Sequence, residues 1–126
     1  MNNLIIEKTA STPYINFNYE MRKLIVSGES FPEDAVKFYK PVINWIEQYL
    51  EKIEEEETQV EFEIIYFNSS TSKIYMMIFT LLDQAVANGK NITINWKAAQ
   101  ENETAIECGE EFMEDVEFIK FNILVE

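Results

Sequence analysis

The amino-acid sequence predicts a single α/β domain over residues 1–126, with a mixed β-sheet and helices mainly on one face. Several short segments alternate between apolar and polar residues, which is typical of half-buried strands. Two longer segments repeat apolar residues at intervals of three and four, which is typical of amphipathic helices. A strand–helix–strand unit of this length implies a parallel crossover, which is almost always right-handed. Together these three observations predict one α/β layer domain.

Three strands are predicted in the N-terminal part of the chain. The short apolar run Leu4–Ile6 predicts the first strand, and the alternation in Tyr14–Asn18 predicts the second. Arg22–Gly28 follows as the third, after a connection of only three residues, 19–21. So short a connection favours an antiparallel hairpin, which we expect at an edge of the sheet.

The first helix is predicted to begin at Ser30, because Ser30 and Glu33 have the spacing of a capping box with a proline between them. From Ala35 to Ile53 apolar residues then recur three and four positions apart. Pro41 lies inside this pattern, and a proline there removes a helical hydrogen bond. We therefore expect a kink or a break near residues 37–40.

The second half of the chain continues the alternation of strands and helices. Val60–Ile64 predicts a strand, and helical spacing from Ile74 predicts a helix that ends at about Gly89, a suitable C-terminal residue. Residues 91–96 alternate again and predict a strand. A short helix is expected within Glu110–Met113, and the apolar segment Val116–Val125 predicts the last strand.

Four consecutive hydroxyl residues lie between the strand that ends near Ile64 and the second long helix. They are preceded by Asn68 and followed by Lys73, and they are Ser69, Ser70, Thr71 and Ser72. A helix start presents free N–H groups and the positive end of the helix dipole. A hydroxyl on Ser69, Ser70 or Thr71 can therefore cap the helix, help bind an anion, or carry a phosphate that pairs with Lys73.

Charge and composition exclude several classes of partner. The net charge is −13, from 23 acidic and 10 basic residues, and this excess disfavours binding to nucleic acid or to an anionic membrane surface. The single cysteine, Cys108, predicts no disulfide framework and favours a reducing compartment. We find no signal-peptide pattern and no apolar segment long enough to cross a bilayer. We therefore expect a cytoplasmic protein.

The residue types also disfavour catalysis. The chain has no histidine, so the usual nucleophilic triads and histidine-containing zinc sites are excluded. Cys108 lies among acidic residues, which raise a thiol pKa, and none of the three glycines forms a phosphate-binding loop. We expect no enzyme activity, no cofactor and no metal site.

The segment Glu63–Lys73, which contains Tyr-Phe-Asn-Ser-Ser-Thr-Ser-Lys, resembles the signature of the SiaC-type bacterial regulatory phosphoproteins. Thr12-Pro13, the segment Phe38–Ile46 and the acidic stretch before the last strand resemble this family too, so that the resemblance covers essentially the whole chain. The family is similar in fold to STAS-like anti-sigma-factor antagonists, which are partner-switching domains. The resemblance therefore implies a STAS-like fold.

The resemblance also implies a function. Family members are phosphorylated on a Ser or Thr of this segment by a Ser/Thr protein kinase and dephosphorylated by a PP2C-type phosphatase. The unphosphorylated form binds and activates a diguanylate cyclase in c-di-GMP signalling and biofilm control. By its position after Phe-Asn the acceptor is expected to be Ser69, with Ser70 and Thr71 as alternatives. The residues expected to bind the partner are Asn68, Ser70, Thr71, Lys73, Ile74 and Met77.

A different hypothesis also fits the residues. The segment 68–72 can serve as the anion pocket of a small-ligand or nucleotide sensor, because a helix start with several hydroxyls suits an anion.

Overall fold

Six strands form one sheet in a computed structural model that describes all 126 residues of the chain. The strands are β1 (Leu4–Ile6), β2 (Tyr14–Asn18), β3 (Lys23–Ser30), β4 (Thr58–Phe67), β5 (Ile92–Ala98) and β6 (Lys120–Val125). They lie side by side in the order of the sequence. The first three pair antiparallel, whereas β3 to β6 pair parallel. The predicted mixed sheet is confirmed, but the hairpin of β2 and β3 does not lie at its edge, because β1 pairs with the outer side of β2.

Three helices connect the parallel strands and pack on one face of the sheet. They are α1 (Ala35–Lys52), α2 (Ser69–Ala87) and α3 (Glu103–Asp115). Because crossover connections share one hand and the strand order is sequential, all three helices fall on the same side. None of them combines the length and the apolar composition that crossing a membrane requires.

Aromatic side chains form the centre of the core between sheet and helices. The Phe62 ring on β4 lies 5.0 Å from that of Tyr75 and 4.8 Å from that of Phe79, both on α2. Trp96 on β5 is fully buried and lies 5.4 Å from Phe112 on α3, measured between ring centroids. These contacts fix both α2 and α3 against the middle of the sheet.

The opposite face of the sheet is polar. Glu61, at its middle, forms ion pairs with Lys23 at 3.4 Å and with Lys97 at 3.5 Å, one on each neighbouring strand. These are the only ion pairs of the structure. The alternation read from the sequence thus separates a helix-covered face from an uncovered one.

The predicted start of the first helix is wrong. Ser30 is the last residue of β3, fully buried and paired with Phe67, whereas α1 begins at Ala35. Its N-cap is Asp34, whose side chain accepts a hydrogen bond from the N–H of Lys37 at 3.1 Å. The capping-box pattern gave the wrong helix start because pairing with Phe67 extends β3 as far as Ser30.

Of the kink or break expected near residues 37–40, the break is absent, and α1 continues through Pro41. Pro41 is exposed, while the flanking Tyr39 and Val42 are fully buried. A proline in a helix removes one hydrogen bond, but the apolar face packs against the core on both sides of it. Tertiary packing therefore outweighs the local cost.

The third helix is longer than predicted, and the last strand starts later. α3 runs over 13 residues and buries Ala105, Gly109 and Phe112, which share one face, while its carboxylates stay outside. Asn102 caps it by accepting from the N–H of Ala105 at 3.1 Å. The sequence pattern predicted only part of this helix because its apolar face is narrow and most of its residues are acidic or exposed.

Candidate functional site

A single residue, Asn68, connects β4 to α2. Its side-chain oxygen accepts from the N–H of Thr71 at 2.9 Å, and its carbonyl accepts from the N–H of Ser72 at 3.0 Å. Its own N–H donates to the carbonyl of Ser30 at 3.1 Å. The N-cap is therefore Asn68, and not Ser69, Ser70 or Thr71. The four hydroxyl residues form the first turn of the helix rather than a loop.

The four hydroxyl residues occupy different environments. Ser69 and Ser70 are exposed, Ser72 is half-buried, and Thr71 is fully buried. Ser69 and Ser70 lie in the first turn, where a helix has no carbonyl to pair with their N–H groups. Both serines are therefore accessible to a modifying enzyme, next to unpaired donors and the positive end of the helix dipole.

Thr71 belongs to a buried chain of hydroxyl groups. Its Oγ1 donates to the carbonyl of Ser30 at 3.2 Å and lies 3.0 Å from the Ser30 hydroxyl. Ser30 lies 2.7 Å from the hydroxyl of Tyr39, which lies 2.9 Å from that of Tyr75. Burial raises the pKa of Tyr39 and, further, that of Tyr75, so both remain neutral. The chain connects β3, α1 and the start of α2, and it holds Thr71 inside the core.

One exposed face of α2 continues from Ser69. Lys73 follows four residues later and Met77 four further on, and residues at this spacing lie on the same side of a helix. Beyond Ser69 an open depression of about 590 Å³ is lined by Lys73, Met76, Met77, Thr80, Leu81 and Gln84. Met77 is 56% exposed. We call this surface, from Lys73 to Gln84, the α2 face.

The expected partner-binding residues divide into two groups. Ser70, Lys73 and Met77 are exposed, and the half-buried Asn68 lies at the same end of the helix. Ile74, in contrast, is only 4% exposed, and Thr71 is fully buried. Neither of these two side chains reaches the surface on which a partner can bind.

A β-bulge lies directly before this site. Gly28 pairs with Ile64 but Glu29 pairs with Tyr66, so that Ile65 has no partner on β3. Asn102, at the start of α3, donates instead to the carbonyl of Ile65 at 2.9 Å. The extra residue turns both Ile65 and Tyr66 outward, 61% and 53% exposed, and returns Phe67 towards the core.

The bulge also creates an apolar surface that sequence patterns did not reveal. The ring of Phe31, which is 39% exposed, lies 5.9 Å from that of Tyr66. Together with Ile65 these residues form what we call the carboxyl-edge patch, at the end of the parallel strands where Asn68 and Ser69 follow. Only the pairing register with β3 determines it, so the alternation within β4 alone could not indicate it.

Cys108 has the environment expected from the sequence. Burial raises the pKa of its thiol, and the nearby carboxylates of Glu111 and Glu107 raise it further. The thiol therefore stays protonated near neutral pH, which makes it a poor nucleophile.

Fold and site together define a class of protein. A one-sided α/β domain presents two modifiable serines at a helix start, a lysine one turn further along and an apolar face beyond it. These are the features of a small regulatory domain. The family model for the SiaC family regulatory phosphoproteins matches residues 6–126, and the chain belongs to this family.

Comparison with individual proteins agrees. An uncharacterized protein of Pseudomonas aeruginosa (strain UCBPP-PA14) is 32% identical over 118 residues, which cover 94% of this chain and 93% of that protein. The structure of SiaC of Pseudomonas aeruginosa is 29% identical and superposes with a TM-score of 0.92 over all of both chains. A crystal structure of the diguanylate cyclase SiaD in complex with its activator SiaC, from the same organism, matches at 31% identity with a TM-score of 0.91. That match covers 98% of this chain and 99% of the other. The resemblance read from the sequence is confirmed.

Proposed function

We propose that this protein is a phospho-switch without enzyme activity. Its unphosphorylated form binds and activates a diguanylate cyclase, and phosphorylation of Ser69 releases the cyclase. The observation that carries the proposal is the alignment of the exposed Ser69 with Lys73 and Met77 along one side of α2. Family membership supports it, and so does the relative SiaC, which is an activator of the cyclase SiaD.

Accessibility favours Ser69 as the acceptor. Thr71 is fully buried and bonded to Ser30, so that a kinase cannot reach its hydroxyl without opening the core. Ser69 and Ser70 are both exposed. Ser69 lies four residues before Lys73, on the side of the α2 face, whereas four residues after Ser70 comes the buried Ile74. A phosphate on Ser69 is therefore next to the surface that it has to control.

The fold can accept a phosphate on Ser69. A phosphoserine carries about −1.5 to −2 charges, which the free N–H groups and the helix dipole stabilise at this end of α2. Lys73, one turn along, supplies a cation for the new anion. The domain therefore remains folded in both states.

A partner bound to the α2 face does not tolerate this phosphate. A partner that covers the α2 face as far as Lys73, one turn from Ser69, would exclude water beside a strongly hydrated anion. Desolvating a charged group without a dedicated partner costs several kcal/mol, and each ~1.4 kcal/mol lowers the affinity tenfold. Phosphorylation thus acts by releasing the cyclase, while a Ser/Thr protein kinase adds the phosphate and a PP2C-type phosphatase removes it.

The site can be tested with variants and a purified cyclase from the native cell. Protein isolated from that cell should carry phosphate on Ser69 by mass spectrometry. Ser69→Ala should activate c-di-GMP synthesis constitutively, and Ser69→Asp should activate it weakly, although one charge imitates a phosphate only in part. Ser70→Ala, the matched control, should retain phosphorylation and switching. Phosphate on Ser70 alone, or a Ser69→Ala protein that is still switched off in the cell, would contradict the assignment.

A further inference from the structure

We propose that the carboxyl-edge patch, formed by Phe31, Ile65 and Tyr66, is the docking surface of the kinase that phosphorylates Ser69. The inference rests on the proposed function, because it assigns to a second surface the recognition of the same acceptor. The α2 face then serves the cyclase, and the two surfaces lie on either side of Ser69.

The backbone places this patch against the acceptor. Tyr66 and Ser69 are separated only by Phe67 and the cap residue Asn68. The bulge at Ile65 exposes two consecutive large side chains where a regular strand would bury one of them. Met77, in contrast, lies eight residues beyond Ser69, or about 12 Å along the helix axis. An enzyme whose active site encloses Ser69 thus meets the patch first.

The surface around Ile65 has the form of a binding site for a protein. Three depressions, of about 370, 410 and 330 Å³, meet at this side chain. An exposed apolar centre with aromatic neighbours and a polar rim is the usual anatomy of an interface. The charged residues of the rim are Lys8, Glu29, Glu63, Lys97 and Glu126.

The charges of the rim specify the kind of partner. Glu29, Glu63 and Glu126 take part in no ion pair, because both ion pairs of the structure involve Glu61. Lys97 is already one of the partners of Glu61, so that Lys8 alone offsets these three carboxylates. The complementary surface is therefore an apolar side chain flanked by lysine or arginine.

Two features of the acceptor favour a kinase as the occupant. Ser69 is the first residue of a helix, so a kinase cannot read the flanking sequence as an extended peptide and must bind the folded surface. Ser69 and Ser70 are adjacent exposed hydroxyls, and only a fixed position of the enzyme can select one of them. A phosphatase needs such positioning less, because the phosphate itself marks its substrate.

The experiment expresses full-length variants in the native cell and measures the phosphorylated fraction of Ser69 by mass spectrometry. The variants are Ile65→Ser and Tyr66→Ser. Met21→Ser is the matched control, because Met21 is 69% exposed and lies in the turn between β2 and β3, at the other end of the sheet. Met77→Ser tests the α2 face. The affinity of each unphosphorylated variant for the purified cyclase is measured by calorimetry.

Each patch variant should lower the phosphorylated fraction about fivefold or more, as expected for loss of a central interface residue. Its affinity for the cyclase and its melting temperature should stay close to wild type. Met77→Ser should weaken binding to the cyclase and leave the phosphorylated fraction unchanged. Met21→Ser should change neither quantity. Three results for the patch variants would each overturn the assignment. They are an unchanged phosphorylated fraction of Ser69, an increased fraction, which would indicate a phosphatase surface, and weaker binding to the cyclase. A wild-type protein without phosphate on Ser69 would instead overturn the proposed function itself.

Discussion

Among single residues, Asp83 on α2 organises the connection between α3 and β6. One carboxylate oxygen accepts from the N–H groups of Phe118 at 2.8 Å and Ile119 at 2.9 Å, and the other accepts from that of Glu117 at 3.2 Å. Burial by itself raises the pKa of this carboxyl, but the three donors outweigh burial and lower the pKa below its ordinary value. Asp83 thus holds the segment from which the last strand begins.

The lowered pKa gives a pH dependence with a defined sign. Asp83 binds a proton less readily in the folded than in the unfolded chain, so its contribution is complete above the ordinary carboxyl pKa. The contribution is lost as the pH falls through the lower, folded pKa. Asp83→Asn should therefore lower the free energy of unfolding at pH 7 by about 1.5–3 kcal/mol, because charge-assisted hydrogen bonds are lost.

Urea unfolding of wild type, Asp83→Asn and the exposed control Asp115→Asn at several pH values checks this expectation. The difference between wild type and Asp83→Asn should shrink as the pH is lowered below ~4, where carboxyls begin to protonate. A difference that stays constant with pH would show that the carboxylate charge plays no part.

Gly109 shows how closely α3 approaches the sheet. A Cβ on this residue would overlap Cδ1 of Trp96, a side chain that is fully buried and cannot withdraw. Gly109→Ala should therefore destabilise the protein by about 1–3 kcal/mol through overpacking, even though alanine favours a helix by ~1 kcal/mol. Thermal unfolding compared with Glu110→Ala, an exposed neighbour, measures the effect. A Gly109→Ala protein as stable as that control would contradict the close packing.

At the scale of elements, periodicity predicted most of the fold. β1, β2 and the part of α2 from Ile74 onward follow from local patterns because one face of each is buried against the core. The ends of β3 and β4 do not, because they depend on the pairing of Ser30 with Phe67. The same applies to the bulge at Ile65, whose exposure results from a register and not from a residue type. The candidate segment Ser69–Ser72 can be recognised from the sequence because it holds four adjacent hydroxyl residues.

The cap of α2 was assigned wrongly for a related reason. Asparagine and serine are comparable N-cap residues, so composition could not choose between Asn68 and the serines after it. In the structure the side chain of Asn68 accepts from Thr71. Asn68→Ala should therefore lower the free energy of unfolding by about 0.5–2 kcal/mol, whereas Ser69→Ala should change it by no more than ~0.5 kcal/mol. Chemical denaturation of both variants measures these losses. A larger loss of unfolding free energy for Ser69→Ala than for Asn68→Ala would show that Ser69 is the N-cap.

For the whole molecule, the dominant property is charge. A net charge of −13 produces a negative field that attracts a basic surface over a long range. Association with a basic partner should therefore slow by about tenfold or more between low and high salt, while dissociation changes less. Stopped-flow or surface-based kinetics across ionic strengths checks this. An association rate that does not change with salt would mean that the acidic surface takes no part in the encounter.

We propose above that one phosphate on Ser69 releases this domain from a diguanylate cyclase. Calorimetry of the purified cyclase against the same preparation, phosphorylated on Ser69 or treated with phosphatase, tests it most directly. The unphosphorylated protein should bind, and the phosphorylated protein should bind at least about 100-fold more weakly, as a cost of ~3 kcal/mol or more requires. Both forms should unfold cooperatively at similar temperatures. Equal affinities of the two forms would contradict the account.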